Sequence, residues 1–196
     1  MVATPRESKR HRAILERAAR LIFLHGYEAT SMQDIADACG LTKAGLYHHV
    51  KTKEALLVAI MHYGLDLFDE VVLEPVKAIA DPVLRLKELM ARNVALVTQD
   101  WSKEVTIILH EHSTLTGKAR KEINGRKKLY VRFLEATFRE AAARGQIRAV
   151  DPTLAAFSFL GIVLWMYKWY RPDGTLQPAQ IADGMVELFF EGLLPR

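Results

Sequence analysis

Apolar residues recur at helical spacing along nearly the whole of this 196-residue chain, and no other feature restricts its fold as strongly. Ile14, Ala18 and Leu21 illustrate the pattern, because intervals of three and four residues place side chains on one face of a helix. The strict alternation that predicts a half-buried strand is nearly absent. Half of the residues are hydrophobic, which is enough apolar material for a globular core. The sequence therefore predicts an all-α protein.

Capping residues divide the periodic stretches into about nine helices. The predicted helices span residues 9–25, 30–39, 43–49, 53–67, 84–99, 101–116, 118–144, 152–170 and 178–194. Pro75 and Pro82 are expected to bracket a turn between the first four helices and the last five. The longest apolar run, 154–167, is shorter than the roughly 20 residues that a membrane-spanning helix needs. It predicts a buried helix, and no membrane partner is expected.

Cysteine and histidine usage argues against several kinds of site. Cys39 is the single cysteine, so neither an intrachain disulfide nor a cysteine-based zinc site is possible. His110 and His112 flank Glu111, but residues two apart on a helix point in different directions, which is unsuitable for chelation. The chain also shows no nucleophile paired with a base and no phosphate-binding glycine loop. We therefore expect no metal, no cofactor and no enzymatic activity.

The segment 26–57, GYEATSMQDIADACGLTKAGLYHHVKTKEALL, predicts short helices joined by tight turns. Thr30, followed by Gln33 three residues later, has the pattern of a capping box at the start of the second helix. Thr42 is a natural N-cap for the third helix, and only residues 40–42 separate the two helices. That spacing is typical of a helix-turn-helix, whose second helix enters the major groove of DNA.

The distribution of charge also points to an anionic partner at this end of the chain. The formal net charge is only +4, yet basic residues crowd the first twenty positions: Arg6, Lys9, Arg10, Arg12, Arg17 and Arg20. Nucleic acid is the simplest partner for such a basic end. The solvated face of an amphipathic helix explains the same charges, so charge alone leaves both interpretations open.

The segment 26–57 closely resembles the DNA-binding domain of the TetR family of bacterial repressors. The matching positions are Gly26, Thr30-Ser31, Asp34-Ile35-Ala36, Gly40, Gly45-Leu46-Tyr47 and Lys53-Glu54-Ala55-Leu56. The resemblance implies a three-helix helix-turn-helix domain in residues 1–55 and a larger helical ligand-binding and dimerisation domain in residues 56–196. It also implies a homodimer that forms through the last two helices and binds double-stranded operator DNA. The N-terminus lacks the apolar stretch of a signal peptide, so we expect a cytoplasmic protein associated with the nucleoid.

The family resemblance and the predicted N-termini of the helices together indicate which residues contact DNA. They are Thr30, Ser31, Thr42, Lys43, Ala44, Gly45, Tyr47, His48 and Lys53. Helix N-termini, Tyr47 and Lys53 would contact phosphates, and the other side chains of the third helix would read bases. Two alternatives stay open, namely that Thr42 is only a cap and that Tyr47 is a core residue with an exposed hydroxyl. His49 is expected to lie at the surface or to support the helix.

In TetR-like proteins the larger helical domain encloses a ligand, which gives the second predicted site. The candidate ligand residues are Phe68, Met90, Asn93, His110, Tyr130, Phe133, Trp165, Lys168, Trp169 and Arg171. The stretch WMYKWYRPDG at 165–174 and the basic cluster at 126–128 resemble the branch that controls fatty-acid and sterol breakdown and senses acyl-CoA thioesters. Each candidate also fits a core or surface role, and the two tryptophans fit a dimer interface equally well.

These features lead to one main hypothesis and two rivals. The main hypothesis is a dimeric repressor that binds a partly palindromic operator and is released by a hydrophobic effector such as an acyl-CoA. The first rival is a TetR-type regulator of drug efflux that senses other lipophilic compounds. The second rival is an enzyme that uses residues 110–112, and the absence of a paired nucleophile and base disfavours it.

Overall fold

The computed structural model describes residues 5–98, 107–108 and 114–191, apart from the side chains of 5–8 and 191. These residues form ten α-helices and one π-helical segment, Asp69–Leu73. The α-helices are α1 (Pro5–His25), α2 (Met32–Ala38), α3 (Lys43–His49), α4 (Lys53–Phe68), α5 (Glu74–Lys77), α6 (Pro82–Thr98), α7 (Gly117–Ala143), α8 (Pro152–Leu164), α9 (Met166–Trp169) and α10 (Pro178–Glu191). The predicted all-α fold is confirmed. The predicted helix 101–116 falls largely outside the described residues, and no described helix is long and apolar enough to cross a bilayer.

The described residues divide into two compact units. The first comprises 5–66, 107–108 and 114–123, and the second comprises 67–98 and 124–191. In the first unit a hydrophobic core cluster joins α1 to α4 through fully buried side chains, among them Ile35, Leu46 and Leu57. The division of DNA binding from effector binding at residue 55 stays a prediction.

Glycines follow the ends of the first two helices. Gly26 and Gly40 have φ angles of 85° and 65°, a left-handed conformation that glycine adopts without a steric penalty. The Gly26 N–H donates to the Ile22 carbonyl at 2.8 Å, and the Gly40 N–H donates to the Asp37 carbonyl at 3.0 Å. Both helices therefore end abruptly, and residues 39–42 are enough to connect α2 to α3.

The N-cap of α2 is not the residue that the sequence predicts. Ser31 is the cap, because its Oγ accepts from the Asp34 N–H at 3.2 Å while the Asp34 carboxylate accepts from the Ser31 N–H at 2.8 Å. The capping box thus pairs Ser31 with Asp34, and the predicted pairing of Thr30 with Gln33 is wrong. The Thr30 hydroxyl instead donates to the Gly26 carbonyl at 2.8 Å, and the residue is 2% exposed. Thr30 therefore closes the turn that follows α1.

Pro75 does not start a turn, because the chain continues from α4 through the π-helical segment into α5. In an α-helix a proline lacks the N–H that would bond to the carbonyl four residues back, and its ring clashes with that carbonyl. The π-helical segment accommodates Pro75, since the Glu74 N–H reaches five residues back to the Asp69 carbonyl. The freed Val71 carbonyl accepts from Arg92 Nη1 at 3.0 Å. The turn lies at residues 78–81, between Pro75 and Pro82 as predicted, although Pro75 itself stands in α5.

Caps and ion pairs fix the long helices of the second unit. Asp151 caps α8, and its Oδ1 accepts from the Leu154 N–H at 2.8 Å. Arg85 of α6 donates to Glu140 of α7 at 2.8 Å, and the Arg85 side chain is only 13% exposed. The predicted single helix over 152–170 is broken at Trp165, where α8 ends and the one-turn helix α9 begins.

Candidate DNA interface and effector site

Helix α3 presents one exposed face built from predicted DNA contacts. Lys43, Ala44, Tyr47 and His48 are all exposed, and helix positions three or four apart share a face. Leu46 is fully buried and anchors the opposite side of α3 to the core of the first unit. Tyr47 is 37% exposed, so the alternative of a core ring with an exposed hydroxyl stays open beside a contact with DNA. The four exposed residues are called the α3 face below.

Thr42 fixes the start of α3. Its Oγ1 accepts from the Gly45 N–H at 3.0 Å, so the predicted N-cap is confirmed. Thr42 is exposed, and a hydroxyl that accepts one hydrogen bond still has its own hydrogen to donate. Capping and contact with a DNA phosphate are therefore compatible for this side chain. Gly45 is half-buried beneath the cap.

The two adjacent histidines lie in different environments. His48 is exposed, whereas His49 is half-buried. Burial lowers the pKa of His49, and the neighbouring Arg10, His11 and His48 lower it further. His49 is therefore neutral at pH 7, which agrees with its predicted supporting role. His48 remains the candidate for a DNA contact.

Lys53 already has partners within the first unit. Its Nζ donates to the Glu28 carbonyl at 3.3 Å and lies 4.2 Å from the centroid of the Tyr27 ring. This cation–π contact ties the first turn of α4 to the connection between α1 and α2. An ammonium group has three donors, so a contact with phosphate can be added to these interactions.

The two neighbouring hydroxyl residues at the start of α2 differ in their access to solvent. Ser31 is exposed beside the capping box and stays a candidate. Thr30 is buried, and its hydroxyl hydrogen is already donated to Gly26. The Thr30 side chain is therefore removed from the candidate set of DNA contacts.

Three of the predicted ligand residues converge in the second unit. The rings of Phe68 and Tyr130 pack edge to face, with centroids 4.6 Å apart. Asn93 is 3% exposed, and its amide nitrogen donates to the Leu89 carbonyl at 2.7 Å and to the Tyr130 hydroxyl oxygen at 3.0 Å. Burial raises the pKa of the Tyr130 phenol, which therefore stays protonated. Phe68, Asn93 and Tyr130 are called the Tyr130 cluster below.

The other interior candidates have less specific surroundings. Met90 is fully buried and Phe133 is half-buried, and both fit core packing. His110 lies outside the described residues. Lys127 is absent from the predicted ligand residues, yet it is half-buried one helical turn before Tyr130, and burial lowers its pKa. Its spacing of three residues from Tyr130 was the signal in the sequence that could have identified it.

The candidates near α9 lie at the surface. Trp165 is 61% exposed and Trp169 is 45% exposed. Lys168 and Arg171 are exposed as well, and Lys168 Nζ lies 5.1 Å from the centroid of the Tyr167 ring. Large apolar side chains left open in one chain favour the dimer-interface alternative for the two tryptophans.

Helix α3 is short, is anchored by the buried Leu46, and follows α2 after four residues. Its exposed face carries polar and basic side chains. This arrangement is that of a helix-turn-helix DNA-binding regulator. Residues 14–60 match the family of bacterial regulatory proteins described as the tetR family, and residues 80–193 match the tetracyclin repressor-like C-terminal domain. The chain belongs to the TetR family.

Individual relatives match along nearly the whole chain. The crystal structure of AibR in complex with isovaleryl coenzyme A and operator DNA is 64% identical, covers 91% of this chain and 97% of that chain, and has a TM-score of 0.88. The TetR-family regulator PfmR from Thermus thermophilus is 33% identical, with 93% and 99% covered and a TM-score of 0.84. The HTH-type transcriptional repressor KstR2 of Rhodococcus jostii is 30% identical over 97% of this chain and 94% of its own length.

The family assignment also bears on the enzyme hypothesis. TetR-family proteins are DNA-binding regulators, and neither matching domain is an enzymatic one. Residues 110–112, on which that hypothesis depends, lie outside the described residues. Within the described part of the chain, no group of three or more His, Cys, Asp or Glu residues could hold a metal ion.

Proposed function

We propose that the protein is a homodimeric repressor whose α3 face binds a partly palindromic operator and whose second unit binds an acyl-CoA that weakens operator binding. In this proposal residues 1–55 bind DNA and residues 56–196 bind the effector and the second chain. The genes it controls serve the breakdown of fatty acids or other acyl compounds. The protein acts in the bacterial cytoplasm, at its operator on the nucleoid.

The observation that carries the proposal is the 64% identity to AibR, which was solved with isovaleryl coenzyme A and operator DNA bound together. The Tyr130 cluster supports it, because a buried amide and a half-buried phenol beside the Phe68 ring suit a ligand with an apolar chain and a polar group. The exposed α3 face supports the DNA half of the proposal.

The proposed dimer rests on the apolar surface of α8 and α10. Leu154, Phe157 and Trp165 follow one another at helical spacing and are 64%, 57% and 61% exposed. Leu188 on α10 is 77% exposed. Two chains paired through these helices would present two copies of α3, and half-sites on one side of DNA lie about 34–36 Å apart.

Simultaneous binding in AibR suggests a graded coupling rather than mutual exclusion. If an acyl-CoA lowers the operator affinity by some factor, the operator must lower the acyl-CoA affinity by the same factor, typically about 5-fold to 150-fold. We would select an operator from a random duplex library with the purified protein. Operator affinity would then be measured by fluorescence anisotropy with and without isovaleryl-CoA, and isovaleryl-CoA affinity by calorimetry with and without operator.

The expected result is a reduction in both affinities by one common factor. Free isovalerate and coenzyme A serve as controls and should leave the operator affinity unchanged. If a cationic dye releases the operator while no acyl-CoA does, the efflux-regulator alternative replaces this proposal. If isovaleryl-CoA strengthens operator binding, the direction of the response is opposite to the one proposed.

A further inference from the structure

The Tyr130 cluster contains one hydrogen-bond donor for which the described residues supply no acceptor. Both hydrogens of the Asn93 amide are donated, one to the Leu89 carbonyl and one to the Tyr130 hydroxyl oxygen. Tyr130 therefore acts as an acceptor toward Asn93, and its own hydroxyl hydrogen has no acceptor among the described residues. Tyr130 is half-buried, so a bound molecule can reach this donor and supply the acceptor that the described residues lack.

The surroundings of Tyr130 hold this donor in place. The edge-to-face contact with Phe68 restrains the ring, and the bond from Asn93 occupies one side of the hydroxyl oxygen. Burial raises the pKa of the phenol, so the group offers a neutral hydrogen at every physiological pH. A neutral, fixed donor matches a neutral acceptor such as a carbonyl oxygen.

The side chains on α7 before and after Tyr130 differ in polarity, which indicates how a ligand would be oriented along this helix. Lys127 lies one turn before Tyr130, about 4.5 Å along the helix axis at 1.5 Å per residue, and its half-buried ammonium has no partner among the described residues. Leu134, one turn after Tyr130, is fully buried. The inner side of α7 thus passes from a cation through a neutral donor to a purely apolar side chain.

We propose that the Tyr130 hydroxyl donates a hydrogen bond to the carbonyl oxygen of a bound acyl thioester, with the acyl chain toward Leu134 and the polar arm of the ligand toward Lys127. The inference rests on the proposed function, since it assumes that the effector is an acyl-CoA. Asn93 acts as a positioning residue that orients the hydroxyl. The subsite then distinguishes an acyl thioester from a molecule of equal length that lacks the carbonyl oxygen.

Two ligands and three variants test the assignment. Calorimetry would compare isovaleryl-CoA with S-(3-methylbutyl)-CoA, the thioether in which a methylene group replaces the carbonyl. Tyr130→Phe removes only the hydroxyl and keeps the ring beside Phe68. Thr137→Val is the matched control, because Thr137 is one heptad further along α7 and its buried hydroxyl is already donated to the Phe133 carbonyl at 2.8 Å. Lys127→Met keeps a long, unbranched side chain but removes the charge.

The wild-type protein should bind the thioester about fivefold to tenfold more tightly than the thioether, as expected for one neutral hydrogen bond. Tyr130→Phe should abolish that preference, and Thr137→Val should retain it. Lys127→Met should weaken both ligands equally. The inference is overturned if Tyr130→Phe still binds the thioester more tightly than the thioether, or if Lys127→Met is the variant that loses this preference. In either case the proposed function stands. Failure of the wild-type protein to bind either ligand overturns both.

Discussion

Replacement of Gly45 by alanine separates two reasons for placing a glycine near the start of α3. The φ angle of Gly45 is not among the positive values found at four other glycines, so its backbone conformation does not require glycine. A Cβ atom built at this position would lie 3.2 Å from Thr42 Oγ1, the atom that accepts from the Gly45 N–H at 3.0 Å. One reason for glycine is therefore room for the cap, and the other is close approach of α3 to DNA.

The expected change in stability follows from two opposing terms. Alanine is favoured over glycine inside a helix by about 0.8–1 kcal/mol. Displacement of the Thr42 hydroxyl would remove a cap worth about 1 kcal/mol. The two terms nearly cancel, so we expect Gly45→Ala to change the free energy of unfolding by less than about 0.5 kcal/mol and the Tm by less than about 2 °C. Gly125→Ala is the control, because no atom lies within 4 Å of its Cβ position and the full gain should appear.

Gly45→Ala should change the free energy of operator binding more than it changes the free energy of unfolding. If α3 lies against base edges, the added methyl group holds it away, and loss of one base contact weakens operator binding by about 1–3 kcal/mol. Urea denaturation would measure stability, and fluorescence anisotropy with the selected operator would measure binding. Unchanged operator affinity in Gly45→Ala would refute the close-approach argument. A loss of stability above about 2 kcal/mol would show that the contact with Thr42 cannot relax.

Two further predictions concern stability. Hydrogen bonds from the side chain and then the backbone N–H of Ser31 lower the pKa of Asp34, so this carboxylate stabilises the fold above its ordinary pKa and the contribution is lost as the pH falls through the lowered value. Urea unfolding from pH 5 to pH 2 should therefore show a steeper loss for wild type than for Asp34→Asn, and equal slopes would contradict the assignment. Arg85→Met should cost about 1–3 kcal/mol, because Arg85 is 13% exposed and also donates to a backbone carbonyl at 2.7 Å. Arg144→Met removes a second, 49% exposed partner of Glu140 and should cost about 0–1 kcal/mol, so similar losses in the two variants would contradict the burial argument.

The helix-turn-helix was predictable because its signals are local. Gly40 ends α2, Thr42 caps α3, and the predicted bounds 43–49 are those of the structure. The N-cap of α2 was not predictable by the same rule, since both Thr30 and Ser31 are followed three residues later by a side chain that could complete a capping box. A tertiary contact determines which of the two residues is the N-cap. Thr30 is buried against the end of α1, so Ser31, which stays at the surface, caps α2.

The Tyr130 cluster depends on contacts between residues that are far apart in the sequence. Phe68, Asn93 and Tyr130 come from α4, α6 and α7, and nothing in the period of any one helix indicates that they meet. The π-helical segment after Phe68 adds one residue to the helix, which rotates every later side chain about the helix axis by about 100°. The side chains after this segment therefore do not lie on the faces that the residue spacing in α4 predicts. Pro75 indicates in the sequence that the helix cannot continue unchanged, because a proline inside a helical pattern forces a turn, a kink or a π-bulge. The sequence allowed all three, and the structure contains the π-bulge, where Arg92 donates to the Val71 carbonyl that the proline leaves free.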